Sequence, residues 1–377
     1  MSRSRLCFVV SVPLAAKAFL SAHLTALSTL YDIDLVTKYM NSSELGSMAD
    51  HVNPVSMDIR RPVSLLADLV ALVRLFRLFQ RTGYAAVTSV TPKAGLLAMM
   101  AAWLARVPVR IHVFTGQVWA RRSGWQRRLL KALDRLMARL ATHVLADSRS
   151  QRRFLAAEGI VSADRIGVLG EGSICGVDGG RFCPDASRRS QVRHVHGLPE
   201  SAVVFLFLGR LNRDKGVLDL AEAFAQLGDP GVWLLVVGPD EAGMQTEMQR
   251  RMGAAVERCR FVGYTEQPED FMAAADVFCL PSYREGFGMV IIEAGAAGIP
   301  TIASRIYGVT DAVEENVTGL LHRPGDVVEL TGLMAVLVRD AERRRAMGGA
   351  ARERALKLFS REAVTQAWVD FYRQLPG

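Results

Sequence analysis

Short runs of consecutive apolar residues alternate along this chain with longer stretches in which apolar positions recur every three or four residues. The first pattern predicts strands buried on both faces, and the second predicts helices lying against them. In the first half the predicted strands are 6–12, 33–37, 52–57, 85–89, 109–114, 143–146 and 166–169, and the predicted helices are 18–30, 64–81, 93–105, 125–140 and 148–158. The rhythm restarts with strands at 203–208, 233–237, 259–262, 276–280, 301–303 and 319–321. Helices are predicted there over 218–227, 244–252, 271–275, 290–298, 327–339, 343–358 and 361–375. Alternation of this kind gives an α/β protein of two doubly wound, mostly parallel, Rossmann-like domains. Residues 176–201 carry Pro184, a run of Arg and His and no clear period, which predicts an inter-domain linker. The domains are placed at 1–185 and 186–360, followed by a last helix in 361–377.

One junction stands out. The apolar run 276–280 leads into Pro281-Ser282-Tyr283-Arg284-Glu285-Gly286-Phe287-Gly288-Met289, and an Ala-rich apolar helix begins at Val290. Glycine lets main-chain N–H groups approach a ligand. A loop that opens into a helix presents unpaired N–H groups and a partial positive charge, a seat for phosphate. Glu285 and Glu293 frame this seat, and Glu293 sits inside an otherwise apolar run. Taken alone, the stretch reads in three ways: an ordinary strand–loop–helix unit, an acid/base pair of carboxylates flanking a bond, or grips on a phosphorylated ligand.

Charge narrows the choice. Residues 1–175 hold 23 Lys+Arg against 11 Asp+Glu, a net of +12, while residues 176–377 hold 23 against 27, a net of −4. A basic half calls for an anionic partner. On the helix around 120–140, Arg121, Arg122, Arg127, Arg128, Lys131, Arg135 and Arg139 accompany Trp125, Leu129, Leu133, Leu136 and Leu140 at helical spacing. This reads either as an ordinary solvated basic face or as a surface for anionic lipid, and the net charge of the half favours lipid. Stacking aromatics among the basic residues are scarce, which argues against nucleic acid. The five cysteines form no CxxC pair and no cluster with His, so a reducing compartment is expected and a structural zinc site is not. Residues 6–12 read as a first strand rather than part of a signal peptide, and no apolar run reaches the roughly 18 residues of a spanning helix. The expected location is cytoplasmic, peripheral at the inner face of the membrane.

In the second half, Arg210 and Lys215 flank a glycine-bounded loop directly after a strand, where ligands of open α/β sheets bind. Two cations there can clamp a diphosphate. Neither loop is a Walker motif, and no GxGxxG follows the first strand, which disfavours an NTPase or an NAD enzyme. No Asp-x-Asp is placed to bridge a metal and a diphosphate; Asp32 and Asp34 have the spacing but sit at the edge of the second strand and read as structural. No metal and no cofactor are therefore expected, and cations with helix N–H groups must stabilise a departing diphosphate.

Phe207-Leu208-Gly209-Arg210-Leu211 through Lys215-Gly216, then Val237-Gly238, Phe261-Val262-Gly263 and the pair Glu285 and Glu293, resemble the donor half of family-four retaining glycosyltransferases. The resemblance spans nearly the whole chain and includes the turn Gly170 to Asp178, with Arg181-Phe182 after it. It implies a GT-B fold, two domains facing across a cleft, with the last helix crossing back to the N-terminal domain. It implies that Arg210 and Lys215 hold the diphosphate of a nucleotide-sugar, that Glu285 bonds the sugar ring and that Glu293 holds the ribose. Gly209, Gly238 and the backbone at Phe261 and Val262 would complete the donor site, the last two meeting the base. Gly286, Phe287, Gly288, Met289 and Val290 would offer N–H groups to the phosphate or sugar. Arg210, Lys215 and Glu285 are the expected catalytic set.

In the N-terminal half, His112 to Trp119 resembles the loop before the family's acceptor site, giving His112, Thr115, Gly116 and Gln117 as acceptor-side residues. Many members carry a His directly before this Gly, where Thr115 stands here. His112 stands either in the cleft or as a core histidine on its strand. The first loop, Ser11-Val12-Pro13-Leu14, lacks the family's paired glycines. The implied activity is retaining transfer of a hexose or acetamido-hexose from a nucleotide-diphosphate sugar, UDP before GDP, to a lipid-linked glycan for a surface polysaccharide. The alternatives are a soluble enzyme with a small acceptor and a non-catalytic partner subunit.

Overall fold

The computed structural model describes residues 3–39, 45–59 and 64–375, and the unbroken apolar runs form its strands. The chain divides into two compact units, Met1–Cys175 with Arg361–Gly377, and Gly176–Ser360. In the first unit the strands are β1 (Arg5–Val9), β2 (Asp32–Thr37), β3 (Asn53–Ser56), β4 (Ala86–Ser89), β5 (Val109–Phe114), β6 (His143–Ala146) and β7 (Ile166–Gly167). They lie in the order β3-β2-β1-β4-β5-β6-β7. In the second unit β8 (Val203–Leu208), β9 (Val232–Val237), β10 (Cys259–Val262), β11 (Val277–Leu280), β12 (Thr301–Ser304) and β13 (Gly319–His322) lie in the order β10-β9-β8-β11-β12-β13. All these pairings are parallel. Both units are thus doubly wound α/β sheets with the cores under their helices.

The first unit takes in the last helix, Arg361–Arg373. Its Trp368 ring stacks on His23 at 4.9 Å, and Tyr31 donates to the Tyr372 carbonyl at 3.2 Å. Asp34 is buried and takes hydrogen bonds from Tyr84, from Arg5 at 3.3 Å and from Asn53 at 3.2 Å. These bonds occupy it within the fold, as a structural residue.

The unit boundary lies at Cys175/Gly176, ahead of the expected position 185, and the expected linker is a folded part of the second unit. Helix Ala186–Val195 is N-capped by Asp185, whose side chain accepts from the Arg188 N–H at 3.0 Å. Arg193 on this helix is fully buried. Its guanidinium donates to Asp276 at 2.8 Å and to the carbonyls of Ala274, Pro199, Glu200 and Ala202. Asp276 also accepts from Arg189 at 2.8 Å and from the Val204 N–H at 2.7 Å. A buried guanidinium persists only when its donors are met, and here it ties the helix to the starts of β8 and β11.

The second sheet changes direction at β8: the chain runs outward through β9 and β10, then returns to add β11 on the other side of β8. Main chains crowd at the carboxyl ends of these strands. Gly216 has φ +66°, and a Cβ there would collide with the Pro281 carbonyl oxygen. Gly238 has φ +138°, and its Cβ would collide with the Gly209 carbonyl oxygen. Gly238→Ala is therefore expected to destabilise this unit by about 2–4 kcal/mol, backbone strain adding to the clash. The measurement is the midpoint shift in urea unfolding, with Gly243→Ala as a control that shares the backbone strain (φ +65°) but not the clash, because a Cβ at Gly243 meets open space.

Candidate functional site

Two loops bracket the point where the second sheet reverses, one after β8 (residues 209–216) and one after β11 (residues 281–288). Crevices at such switch points are where open α/β sheets bind ligands. The Asn212 side chain accepts from the Lys215 N–H at 3.1 Å and shapes the first loop. The Tyr283 N–H donates to the Asp214 carbonyl at 2.8 Å, and Arg284 reaches the Asp214 carboxylate at 3.3 Å, so the loops are fastened together. Further hydrogen bonds, Leu211 N–H to Pro239 O at 2.9 Å and Gly238 N–H to Val262 O at 3.0 Å, tie in the ends of β9 and β10.

This packing brings two predicted residues together across the chain: Lys215 Nζ lies 2.6 Å from Glu285 Oε1, and both side chains are mostly buried. Arg210 points outward and pairs at 3.0 Å with Glu241, with both side chains about half exposed. Gly288 caps helix Met289–Ala296, whose first residues, Met289 and Val290, are half-buried. The Phe287 ring turns inward onto Phe359, with ring centroids 5.1 Å apart, so the Phe287 side chain belongs to the core and its backbone alone faces the loop. Phe261 and Val262 are half-buried at the end of β10.

Glu293 sits one turn into helix Met289–Ala296 and is half-buried, and its carboxylate makes no hydrogen bond among the described residues. Burial pushes its carboxyl up to about 7; the nearby Arg181 cation opposes the rise and Glu269 adds to it. Arg181 is held by Glu269 at 2.8 Å and by the Glu266 carbonyl at 2.9 Å. In sequence Arg181 marks only the end of a turn. Its charge beside Glu293 comes from folding, as do the parts of Asn212, Asp214, Glu241 and Glu269, which no motif marked.

In the first unit the candidate acceptor-side residues divide. His112 is buried on β5, with Nδ1 2.8 Å from Ser89 Oγ and its ring edge-on to Phe114. A Cβ at Gly95 would collide with this ring. Burial pushes the His112 imidazole down to about 3, so it is neutral and packed as a core histidine. Thr115 and Gly116 are half-buried at the end of β5. Gln117 is buried and bonds back to the Thr115 carbonyl, which also accepts from Gln151 at 2.6 Å; the Gln117 side chain braces its own loop. On the neighbouring strand, Asp147, directly after β6, is buried and its carboxyl is raised to about 8 by burial. No sequence signal pointed to it.

The basic helix, Gly124–Leu140, also divides. Arg127 and Lys131 pair with Glu158 at 2.7 and 2.6 Å, and Arg135 donates to the Gly159 carbonyl at 2.7 Å. These three cations hold the helix to its neighbour Arg149–Ala157. The outward side carries Trp125, which is 71 % exposed, with Leu129 and Leu136 and the exposed cations Arg128 and Arg139. No helix among the described residues is long and apolar enough to cross a membrane.

Comparison with known proteins gives two family matches. Residues 188–354 match the model described as Glycosyl transferases group 1, and residues 20–172 match the Glycosyl transferase 4-like domain. The chain is 28 % identical over 325 residues to the capsular polysaccharide biosynthesis glycosyltransferase CapM of Staphylococcus aureus, covering 85 % of this chain and 84 % of that one. It is 27 % identical over 313 residues to the Escherichia coli UDP-Gal:alpha-D-GlcNAc-diphosphoundecaprenol alpha-1,3-galactosyltransferase, covering 79 % and 77 %. Among solved structures, HepE of Anabaena in complex with UDP-glucose superposes with a TM-score of 0.82 at 21 % identity, over 98 % of this chain and 100 % of that one.

The raised Glu293 carboxyl has a measurable consequence. A carboxyl that titrates at about 7 when folded and near ~4.3 when unfolded binds its proton more tightly in the folded state. Stability therefore falls as pH rises from the lower value through the upper one. Glu293→Gln is expected to be more stable than the parent at pH ~8 by about 1–3 kcal/mol, with the difference vanishing below pH ~4.5. Urea unfolding of the two proteins at both pH values reads it.

Proposed function

The chain belongs to the group 1 glycosyltransferases and has their GT-B fold, and on that premise we propose that it moves a hexose or acetamido-hexose from a UDP-sugar to a lipid-linked glycan, retaining the anomeric configuration. The observation that carries the site assignment is the Lys215–Glu285 contact at the reversal of the second sheet. It puts a cation and a carboxylate side by side where a diphosphate and its sugar would meet. Arg210 and Lys215 hold the diphosphate, and Arg210 leaves its exposed Glu241 to do so. Glu285 bonds a sugar hydroxyl. The N–H groups from Gly286 to Val290 face the phosphate or the sugar. Glu293 accepts from the ribose hydroxyls in its ionised form, and the backbone near Gly238, Phe261 and Val262 meets the base.

In the reaction the C1–O bond to the diphosphate breaks, and the acceptor oxygen attacks from the same face. Its proton passes to the departing phosphate oxygen. The two cations and the helix N–H groups take up the charge that develops on the leaving diphosphate, and no metal is needed for that part. His112 is enclosed in the core and is not offered as the base; the resemblance to the family implies that the donor's own phosphate receives the proton. The first unit contributes the acceptor site, with the loop from Thr115 to Gln117 at its edge.

The acceptor assignment draws on two things. One is the relative named for transfer onto a diphosphoundecaprenol-linked sugar. The other is the outward stripe of Trp125, Leu129 and Leu136 with Arg128 and Arg139 beside it, which suits the inner face of an anionic membrane. A role in surface polysaccharide synthesis follows from the same reading.

Lys215→Ala and Glu285→Ala are each expected to lower transfer by about 10²–10³-fold at unchanged fold, the scale for losing a preorganised charge in the transition state. The assay uses a panel of UDP-sugars and a short-chain lipid-diphosphate-linked acceptor, with NMR of the product reporting the anomeric configuration. Full activity in both variants removes the site assignment, and an inverted product removes retention.

A further inference from the structure

Helix Leu65–Thr82 of the first unit is apolar on two opposite sides. Ala71, Leu75 and Phe79 recur every four residues and are buried in the core. Opposite them, Leu65 and Leu66 are 82 % and 81 % exposed, and Leu69, Val70 and Val73 continue the same exposed arc. A surface helix ordinarily turns polar residues outward. Contiguous exposed aliphatic side chains of this kind mark a docking surface.

The charges on the helix say what docks. Arg74, Arg77 and Arg81 are exposed along the same arc toward the C-terminal end, and none has a carboxylate partner among the described residues. The helix's one acidic residue, Asp68, is bound to Lys93 at 2.6 Å and adds no free negative charge to the arc. Helix Pro92–Leu104 packs against both this helix and Gly124–Leu140, so the two exposed stripes flank one buried helix. Leucines beside unpaired arginines, on a unit with a large positive charge, fit an anionic bilayer: the aliphatic groups enter the acyl boundary while the guanidinium groups reach lipid phosphates. A second copy of the same face would instead set arginine against arginine.

We propose that helix Leu65–Thr82 is a second membrane-contacting element, which inserts Leu65, Leu66 and Leu69 into an anionic lipid surface and holds it there with Arg74, Arg77 and Arg81. This rests on the membrane reading above and adds the element that penetrates. The full chain is floated with vesicles of phosphatidylglycerol and phosphatidylcholine in equal parts. Wild type is expected to float. Leu66→Glu with Leu69→Glu is expected to lower the bound fraction at least about tenfold, since apolar contact with the bilayer is lost and two negative charges are added. The melting temperature should not change, because both side chains are exposed. Leu66→Trp should still float, and brominated acyl chains should quench its emission beyond the wild-type quench. Flotation of the double Glu variant equal to wild type overturns the proposal and leaves the membrane reading to helix Gly124–Leu140. Wild type remaining in solution overturns both. A wild-type dimer that the double Glu variant dissolves, with flotation unchanged, makes the face a contact between copies and also overturns the proposal.

Discussion

The candidate site depends on main chains from three strand ends lying closer together than any side chain would allow. Gly216 sits under the Pro281 carbonyl, and Gly238 sits under the Gly209 carbonyl. Hydrogen bonds between the loops then fix what the glycines permit, as in Tyr283 N–H to Asp214 O and Leu211 N–H to Pro239 O. The loops are thereby held to β8, β9 and β11 rather than to each other alone. Lys215 and Glu285, separated by seventy positions, inherit their placement from the sheet. Groups held in this way need little reorganisation when charge develops beside them, which is the main source of electrostatic catalysis.

The ionic contacts of the site differ in how easily a ligand can displace them. Arg210 and Glu241 are both largely solvated, and such pairs contribute little. In the proposed donor complex a diphosphate would take Arg210 at small cost. Lys215 and Glu285 are mostly enclosed, so separating them without a replacement would leave two poorly solvated charges. A ligand carrying both a phosphate for the lysine and a hydroxyl for the carboxylate supplies that replacement, whereas a bare phosphate supplies half of it. On the proposed reading Glu293 would add the same preference by another route, because a partly buried carboxylate without a hydrogen-bond donor is costly until hydroxyl groups arrive. On the proposed reading the site would discriminate by what it leaves unmet as well as by what it offers.

Much of this was legible in the sequence, and the exceptions have physical reasons. Strands β5, β6, β8 and β10 run over the predicted residues because uninterrupted apolar runs of that length, bounded by turn residues, fit little else. Arg210, Lys215 and Glu285 could be picked out as charged residues on glycine-bounded loops at strand ends, and Glu293 as a carboxylate inside an apolar helix, once they were read together. Helix Ala186–Val195 was read as a linker because its sequence is Arg- and His-rich; burial of Arg193 depends on Asp276, some eighty residues away, which no local pattern reveals. His112 stayed ambiguous for a similar reason, since a polar residue on an apolar strand faces either way until Ser89 and Gly95 are seen against it. Arg181 was visible as a residue and invisible as a neighbour of Glu293.

The helices of the first unit show why charge and apolar pattern must be read together with orientation. Seven cations around helix Gly124–Leu140 suggest a uniformly basic face, yet Arg127, Lys131 and Arg135 are committed to Glu158 and the Gly159 carbonyl. What remains outside is a narrower stripe, more apolar than the composition implies. Helix Leu65–Thr82 carries the opposite lesson: its leucines look like core in sequence, and half of them face solvent. A helix apolar on both sides would ordinarily invite self-association. On this unit every such contact between copies would bring two strongly positive surfaces together, because the charge that favours an anionic bilayer also opposes a second copy. On the proposed reading, the net charge and the exposed leucines would be parts of one device, in which electrostatic repulsion keeps an adhesive face free for a surface of opposite sign.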